Sequence, residues 1–302
     1  MGVRAEVDRR TILGYYDSGG VRWDYSFFLG SGGMHFGYSK NPGERLTPFQ
    51  LRRSARAMTA EVADRARIMP GERVLDAGCG VGWPAISLAR TRSCNVTGIS
   101  ISAAQVRDAT ATARKRGLAP SQTERGWAEF AVADYTATGF PAATFDVAYF
   151  LDSACHDEGS GKAPSMREAF RVLKPGGRLV VADGFAASST FSSREQALMD
   201  SWLDGWAVEQ LAEPGPFERS LADIGFDNVA GHDSTEHVLP FARALHDLAL
   251  LMLPGEWLLR RLGVRSEIDH RNLVAARDQY RSIRQGLWRY FIFTAMKPGG
   301  AG

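Results

Sequence analysis

The chain has 302 residues, and 36 Lys and Arg against 34 Asp and Glu leave a net charge of only +2 at pH 7. That balance gives no electrostatic footprint for nucleic acid or for an acidic membrane surface. Apolar content of 44% and aromatic content of 10% suffice for a full core, in one large α/β domain or one domain with a substantial insertion.

Residues 1–70 are rich in aromatics and Gly. They open on the polar stretch MGVRAEVDRR, which lacks the apolar run of a signal peptide. Three scattered cysteines, Cys79, Cys94 and Cys155, show no CxxC spacing. Reduced thiols and a cytoplasmic setting are expected.

From Arg73 the chain alternates β-branched runs with helical patterns. Strands are predicted at Val74–Asp76, Asn95–Ile99, Phe130–Ala133, Phe145–Leu151 and Arg178–Ala182, a sixth at Asp227–Gly231 and a last at Trp288–Met296. Helices are predicted at Pro84–Arg90, Ser102–Arg116 and Ser165–Leu173, with Lys174–Gly177 (KPGG) as a helix stop and turn. Such alternation indicates βαβ units and a parallel sheet. Residues 235–286 read as amphipathic helix instead, with Phe241, Leu245, Leu248 and Met252 on one face. Asp247, Pro254 and Glu256 interrupt the most apolar window, Leu245–Leu259, and make it too short and polar for a membrane span. The expected division is an N-terminal cap over 1–70, a core over 71–234, a helical lid over 235–286, and a last strand and tail over 287–302.

The run RVLDAGCGVGWPAISLA, Arg73–Ala89, ends a strand on Asp76 and spaces Gly78, Gly80 and Gly82 before a helix. Glycines admit a ligand close to the backbone, and the helix N-terminus offers free N–H groups. No GK[ST] follows, so the loop is no P-loop. A tight strand-to-helix turn is the plainer reading. Further on, GISISAAQ (Gly98–Gln105), ADY (Ala133–Tyr135) and EAFRVLKPGGRLVVAD (Glu168–Asp183) follow in order, after GGMHFGY (Gly32–Tyr38).

Jointly these motifs resemble class I S-adenosylmethionine (SAM)-dependent methyltransferases, in the branch of sterol, tocopherol and prenyl C-methyltransferases and cyclopropane synthases. The resemblance implies a Rossmann-like, seven-stranded, mostly parallel sheet with helices on both faces, plus a helical cap and a lid before the last strand. It implies SAM as cofactor. Asp76, Gly78, Gly80 and Gly82 would hold its methionyl part, and Ile99, Ser100 and Gln105 would flank the ribose. Asp134 would bond the adenine amino group, with Tyr135 or Trp83 nearby. Tyr15, Tyr16, His35 and Tyr38 would close over SAM from the cap.

The stretch FLDSACHDE, Phe150–Glu158, sets Asp152, His156, Asp157 and Glu158 just past the fourth strand. It reads as an acid/base cluster, a metal site or a solvated turn. The resemblance puts Asp152 where related C-methyltransferases carry a Glu and His156 where they carry His or Tyr. Asp152 is then a base or a stabiliser of positive charge, and His156 its orienter or an alternative base. Asp152 or Ser153 as a helix cap is the alternative. Asp157 and Glu158, before GSGK, read as a solvated turn. Consecutive residues cannot easily face one ion, so no metal site is expected. Mg2+ enters only with a diphosphate substrate, which Arg22, Lys40, Arg45 and Arg52 would meet.

Met199, Trp202 and Trp206 share a helical face, and with Leu245, Leu248, Met252, Trp257 and Leu258 they suit an aromatic pocket for a small hydrophobic substrate. Helix-to-core packing explains the same pattern. Homo-oligomerisation is compatible with the sequence. The leading expectation is C-methylation of an isoprenoid alkene through a carbocation that is deprotonated or cyclised. The alternatives are N- or O-methylation of a hydrophobic secondary metabolite and a non-catalytic SAM-binding protein.

Overall fold

The computed structural model describes residues 8–18, 33–124, 126–157, 159 and 161–299. A seven-stranded sheet has the order β3-β2-β1-β4-β5-β7-β6. The strands are β1 (Arg73–Ala77), β2 (Asn95–Ser100), β3 (Ala128–Val132), β4 (Phe145–Leu151), β5 (Leu173–Ala186), β6 (Asp227–Asp233) and β7 (Trp288–Met296). Only β7 runs against its neighbours β5 and β6. The described helices are α1 (Arg9–Asp17), α2 (Leu51–Arg65), α3 (Trp83–Arg92), α4 (Ala103–Lys115), α5 (Ala163–Val172), α6 (Ser193–Gly205), α7 (Pro214–Ile224), α8 (Thr235–Arg261) and α9 (Glu267–Arg284).

Central strands are apolar on both sides because helices cover both faces. Along β4, Val147 and Tyr149 join the core beneath α2, α3, α6, α8 and α9, while Ala148 and Phe150 join the core beneath α5 and α7. Local signals set the helix starts: Ser102 accepts from the Gln105 N–H to open α4, and Ser192 and Glu195 form a capping box for α6. The topology reverses beside β1, so the carboxyl ends of β1, β2, β4 and β5 bring Asp76, Ser100, Asp152 and Asp183 to one edge.

Two local expectations are corrected. KPGG is no turn before β5. The strand already begins at Leu173, opposite Phe145, and its register jumps so that Val147 faces Arg178. The four residues form a bulge within the strand, eased by Gly176 at φ +76°. Over the residues expected to form a lid, α8 runs unbroken through Asp247, Pro254 and Glu256. By length and composition it is long and apolar enough to cross a bilayer, as core helices of soluble proteins also can be. One face of α8 packs on α9 and part of the rest on α2 and β7.

Glu256 escapes being a break because it is paired. Arg265 Nε lies 3.1 Å from its Oε2, with the two side chains 9% and 2% exposed. Removing one partner strands a buried charge, so Arg265→Ala is expected to lower stability by about 3–5 kcal/mol. Urea unfolding measures it, and a loss below about 1 kcal/mol, the range of exposed pairs, would contradict the buried-pair reading.

Candidate active site

The glycine loop forms the floor of a cavity of about 630 Å³ along the strand ends, within the ~300–1,000 Å³ range of small-molecule sites. Gly78, Gly80 and Gly82 sit at φ +99°, +52° and +77°. At Gly78 a Cβ would fall 2.4 Å from Ser153 Cβ, so only glycine lets β1 and the β4 extension meet there. The Gly78 and Cys79 N–H groups donate to the Ile99 carbonyl at 3.1 and 2.8 Å, tying the loop to β2. Ser153 Oγ donates to the Ala77 carbonyl at 2.6 Å, tying it to β4.

Asp76 is buried on this floor, and its Oδ2 meets no partner. Burial pushes its pKa up to about 7, against the opposing Tyr149 hydroxyl and Ala85 N–H. An unmatched buried carboxylate oxygen beside a glycine cradle suits the α-ammonium of SAM. Ser100 Oγ donates to Gln105 Oε1 at 2.8 Å, and both line the same cavity. Asp134 lines it too, with Oδ1 accepting from the Thr136 N–H and hydroxyl and Oδ2 3.3 Å from Arg9 Nη1. Trp83 and Tyr135 complete the wall, and the Tyr135 hydroxyl donates to the Ser153 carbonyl at 3.2 Å. The residues present therefore fit SAM.

Not every expected SAM residue reaches the wall. Ile99 is fully buried in the core and contributes its carbonyl instead. Gly82 lies under the loop, where a Cβ would strike Phe130 and Ala109. Tyr38 is turned away and stacks on His237 with ring centroids 4.6 Å apart.

A second, much smaller cavity of about 70 Å³ abuts the first, sharing Tyr16, Met34, His35, Asp152 and His156. Its walls are aromatic. Phe36 stands at the centre, with ring centroids 5.6 Å from Trp288, 5.7 Å from Tyr290 and 5.8 Å from Trp206. Trp202 packs against Trp206 at 5.7 Å and Trp288 at 5.1 Å. Of the expected substrate residues, Trp202, Trp206 and Leu245 line this cavity, whereas Leu248 and Met252 lie further along α8 and line neither cavity. Leu258 is exposed, and the Trp257 side chain lies outside the described residues. Lys40, Arg45 and Arg52 are exposed and line neither cavity, while Arg22 lies outside the described residues.

Two carboxyls meet at this second cavity. Asp152 follows β4 directly at φ +50°, a strained conformation for a residue with a side chain. Its Oδ2 accepts from the Phe36 N–H at 2.6 Å. Asp183, on β5, accepts from the Cys155 N–H at 2.9 Å and the Gly184 N–H at 2.8 Å. Burial pushes the Asp183 pKa up to about 6, against those two N–H groups. Asp152 rises well above the usual carboxylate range, first through burial and then through the charge of Asp183. Two N–H groups donate to Asp183 and one to Asp152, so the single negative charge that the pair can hold is favoured on Asp183, with the proton on Asp152.

His156 is not a free base. A backbone carbonyl can only accept, so the 3.0 Å contact to the Ala207 carbonyl puts the ring proton on Nδ1. The lone pair on Nε2 then accepts from the Tyr16 hydroxyl at 2.7 Å, and burial holds the pKa down at about 4. Asp157 is no solvated turn: it is buried, and its Oδ2 accepts from the Ser165 N–H at 2.9 Å at the start of α5. Lys162, in the GSGK stretch, is 2% exposed. Its ammonium donates to the Asp157 and Gln210 carbonyls at 2.5 and 3.1 Å and pins the loop beneath the site. Glu158 lies outside the described residues. Among the described residues no group of three His, Cys, Asp or Glu side chains is placed to hold a metal.

The sequence reading missed Asp183, Phe36 and Trp288. Asp183 had a signal, because it ends the apolar run of a parallel strand on the ligand-binding edge. Phe36 lay inside a recognised motif without a role of its own, and Trp288 read only as the start of a strand.

A model of the methyltransferase domain family, "Methyltransferase domain", matches residues 75–181. A 2-methyl-6-phytyl-1,4-hydroquinone methyltransferase of Synechocystis sp. is 36% identical over 235 residues, 76% of this chain and 69% of the relative. An S-adenosyl-L-methionine-dependent Diels–Alderase of Talaromyces variabilis is 28% identical over 299 residues, 97% of each chain. Among solved structures, the 4+2 cyclase SpnF matches with a TM-score of 0.70 and 26% identity, covering 93% of this chain and 95% of that one. A cyclopropane synthase of Mycobacterium tuberculosis shares the fold at a TM-score of 0.77 and 16% identity, over 96% and 99%. The glycine cradle, the unmatched Asp76 oxygen and these likenesses agree: the chain belongs to the class I SAM-dependent methyltransferase family.

Proposed function

We propose that the chain methylates an alkene carbon of an uncharged, largely apolar isoprenoid-type acceptor. The observation that carries this reading is the aromatic cavity that opens onto the SAM cavity beside Asp152 and Asp183. Bound SAM supplies an electrophilic methyl group on a sulfonium. The chain supplies the rest. The glycine loop and Asp76 hold the cofactor, and the apolar wall lays the double bond against it. Attack by the alkene leaves a cation on the acceptor, which the faces of Trp202, Trp206, Trp288 and Phe36 stabilise by cation–π attraction. The Asp183 carboxylate then takes the proton lost as a double bond re-forms. A diphosphate suits the cavity poorly, because its charge would sit among two carboxyls. Offering geraniol and geranyl diphosphate in competition, with product mass as readout, tests this. Preferential methylation of the diphosphate would overturn the uncharged-acceptor reading.

A second reading is cyclisation of a bound polyene with SAM retained, favoured by the end-to-end likeness to a SAM-dependent Diels–Alderase. It predicts an isomeric product and no S-adenosylhomocysteine.

Asp76 makes SAM binding pH-dependent. Its carboxyl is protonated below about pH 7 in the free protein and must ionise to meet an ammonium. The Kd for SAM should therefore rise toward tenfold per pH unit below 7, pass through a minimum, and rise again above about pH 8 as the α-ammonium of free SAM loses its proton. Calorimetry from pH 5.5 to 8.5 measures this; a flat profile would remove Asp76 from the cofactor contact.

A further inference from the structure

Two polar atoms of the aromatic cavity have nothing to bond. Trp206 Nε1 and His35 Nε2 are sealed from the surface, and neither meets a partner among the described residues. Both side chains line the cavity. Its other indoles differ: Trp288 Nε1 donates to the Gln279 carbonyl and Ser282 Oγ at 3.1 and 2.9 Å, and Trp202 Nε1 approaches Met199 Sδ at 3.4 Å. Protein groups satisfy those two and leave Trp206 open.

The chemistry of each open atom is fixed. An indole nitrogen only donates. His35 Nδ1 lies 2.8 Å from the Phe36 carbonyl, so it carries the ring proton and Nε2 presents a lone pair. His35 is 6% exposed, and burial holds its pKa down at about 4, so the ring is neutral at physiological pH. Besides the two carboxyls, whose oxygens already accept from N–H groups, the cavity thus offers one open donor and one open acceptor. A buried polar group without a partner is costly, and a ligand that supplies one gains by it.

We propose that this pair reads a hydroxyl group on the acceptor, Trp206 Nε1–H donating to the hydroxyl oxygen and the hydroxyl donating to His35 Nε2. Only a group that both accepts and donates satisfies the two atoms. A carbonyl would satisfy Trp206 alone, a carboxylate or phosphate would set negative charge against the His35 lone pair, and a hydrocarbon would satisfy neither. The acceptor is then a neutral, apolar alcohol rather than a bare polyene. The proposal rests on the apolar-acceptor reading above and adds the hydroxyl to it.

The test titrates geraniol and 2,6-dimethylocta-2,6-diene, the same skeleton without the hydroxyl, into protein saturated with S-adenosylhomocysteine, by tryptophan fluorescence. The alcohol should bind about tenfold more tightly, and Trp206→Phe should erase that ratio, alcohol and diene then binding alike. Equal affinities in the wild type, or a preference that survives Trp206→Phe, would overturn the hydroxyl contact and leave the apolar-acceptor reading standing. Failure of both ligands to bind would overturn that reading and the contact with it. Should Trp206→Phe not fold, the 15N-labelled indole of Trp206 in the wild type gives the answer. A shift with geraniol and none with the diene supports the contact; no geraniol-specific shift overturns it.

Discussion

Asp183→Asn should lower kcat by about 10²–10⁴-fold, the usual contribution of a positioned base, while SAM affinity stays near the wild-type value. The reason is where the charge sits. Two carboxyls share a buried corner, and two N–H donors hold Asp183 ionised down to about pH 6 while Asp152 stays protonated. Activity that needs the Asp183 carboxylate is therefore present above about pH 6 and is lost as pH falls through that value. Asp152→Asn replaces a protonated carboxyl with an amide that still accepts from the Phe36 N–H, and Asn tolerates positive φ. It should cost much less turnover and keep the acid limb near pH 6. If Asp152→Asn abolished turnover and Asp183→Asn did not, the charge would belong on Asp152, where the sequence reading put it. Thermal unfolding accompanies both variants, because the amide introduced by Asp183→Asn must turn its NH2 toward one of two N–H donors.

Gly78→Ala should weaken cofactor binding strongly. The added Cβ would need φ +99° and would lie 2.4 Å from Ser153 Cβ. Ser153 cannot withdraw freely, since its Oγ holds the Ala77 carbonyl. Relief requires β1 and the β4 extension to part, at a cost of about 1–3 kcal/mol. That parting opens the cradle where the methionyl group rests, and the same energy weakens SAM binding by up to about 100-fold. Calorimetric titration with SAM measures the loss. An unchanged Kd would mean that the loop accommodates a side chain and that its tight turn does not shape the cofactor site.

The sheet was legible because its signals are local. Apolar runs in β1, β2 and β4, glycines where the backbone turns back, and Ser caps before α4 and α6 all act within a few residues. The KPGG bulge was not, because Leu173 pairs with Phe145 across the sheet and no nearby residue announces it. Asp152 could be placed in the site from its position after a core strand, but its protonation could not. That depends on Asp183, 31 positions later in the chain and beside it in space. His156 lost its role as base to Tyr16, from a helix whose docking no local pattern encodes. Lys162 looked like part of a flexible turn because Lys after Gly and Ser usually is; only the carbonyls of Asp157 and Gln210, converging in three dimensions, make a buried ammonium tolerable there.

The most direct measurement incubates the protein with SAM carrying a 13CD3 methyl group and a neutral terpenoid alcohol such as geraniol, then follows product by NMR and S-adenosylhomocysteine by mass. A 13CD3 group bonded to carbon, formed one for one with S-adenosylhomocysteine, is the predicted result. Label on oxygen or nitrogen, or an isomerised acceptor with SAM left intact, would contradict C-methylation.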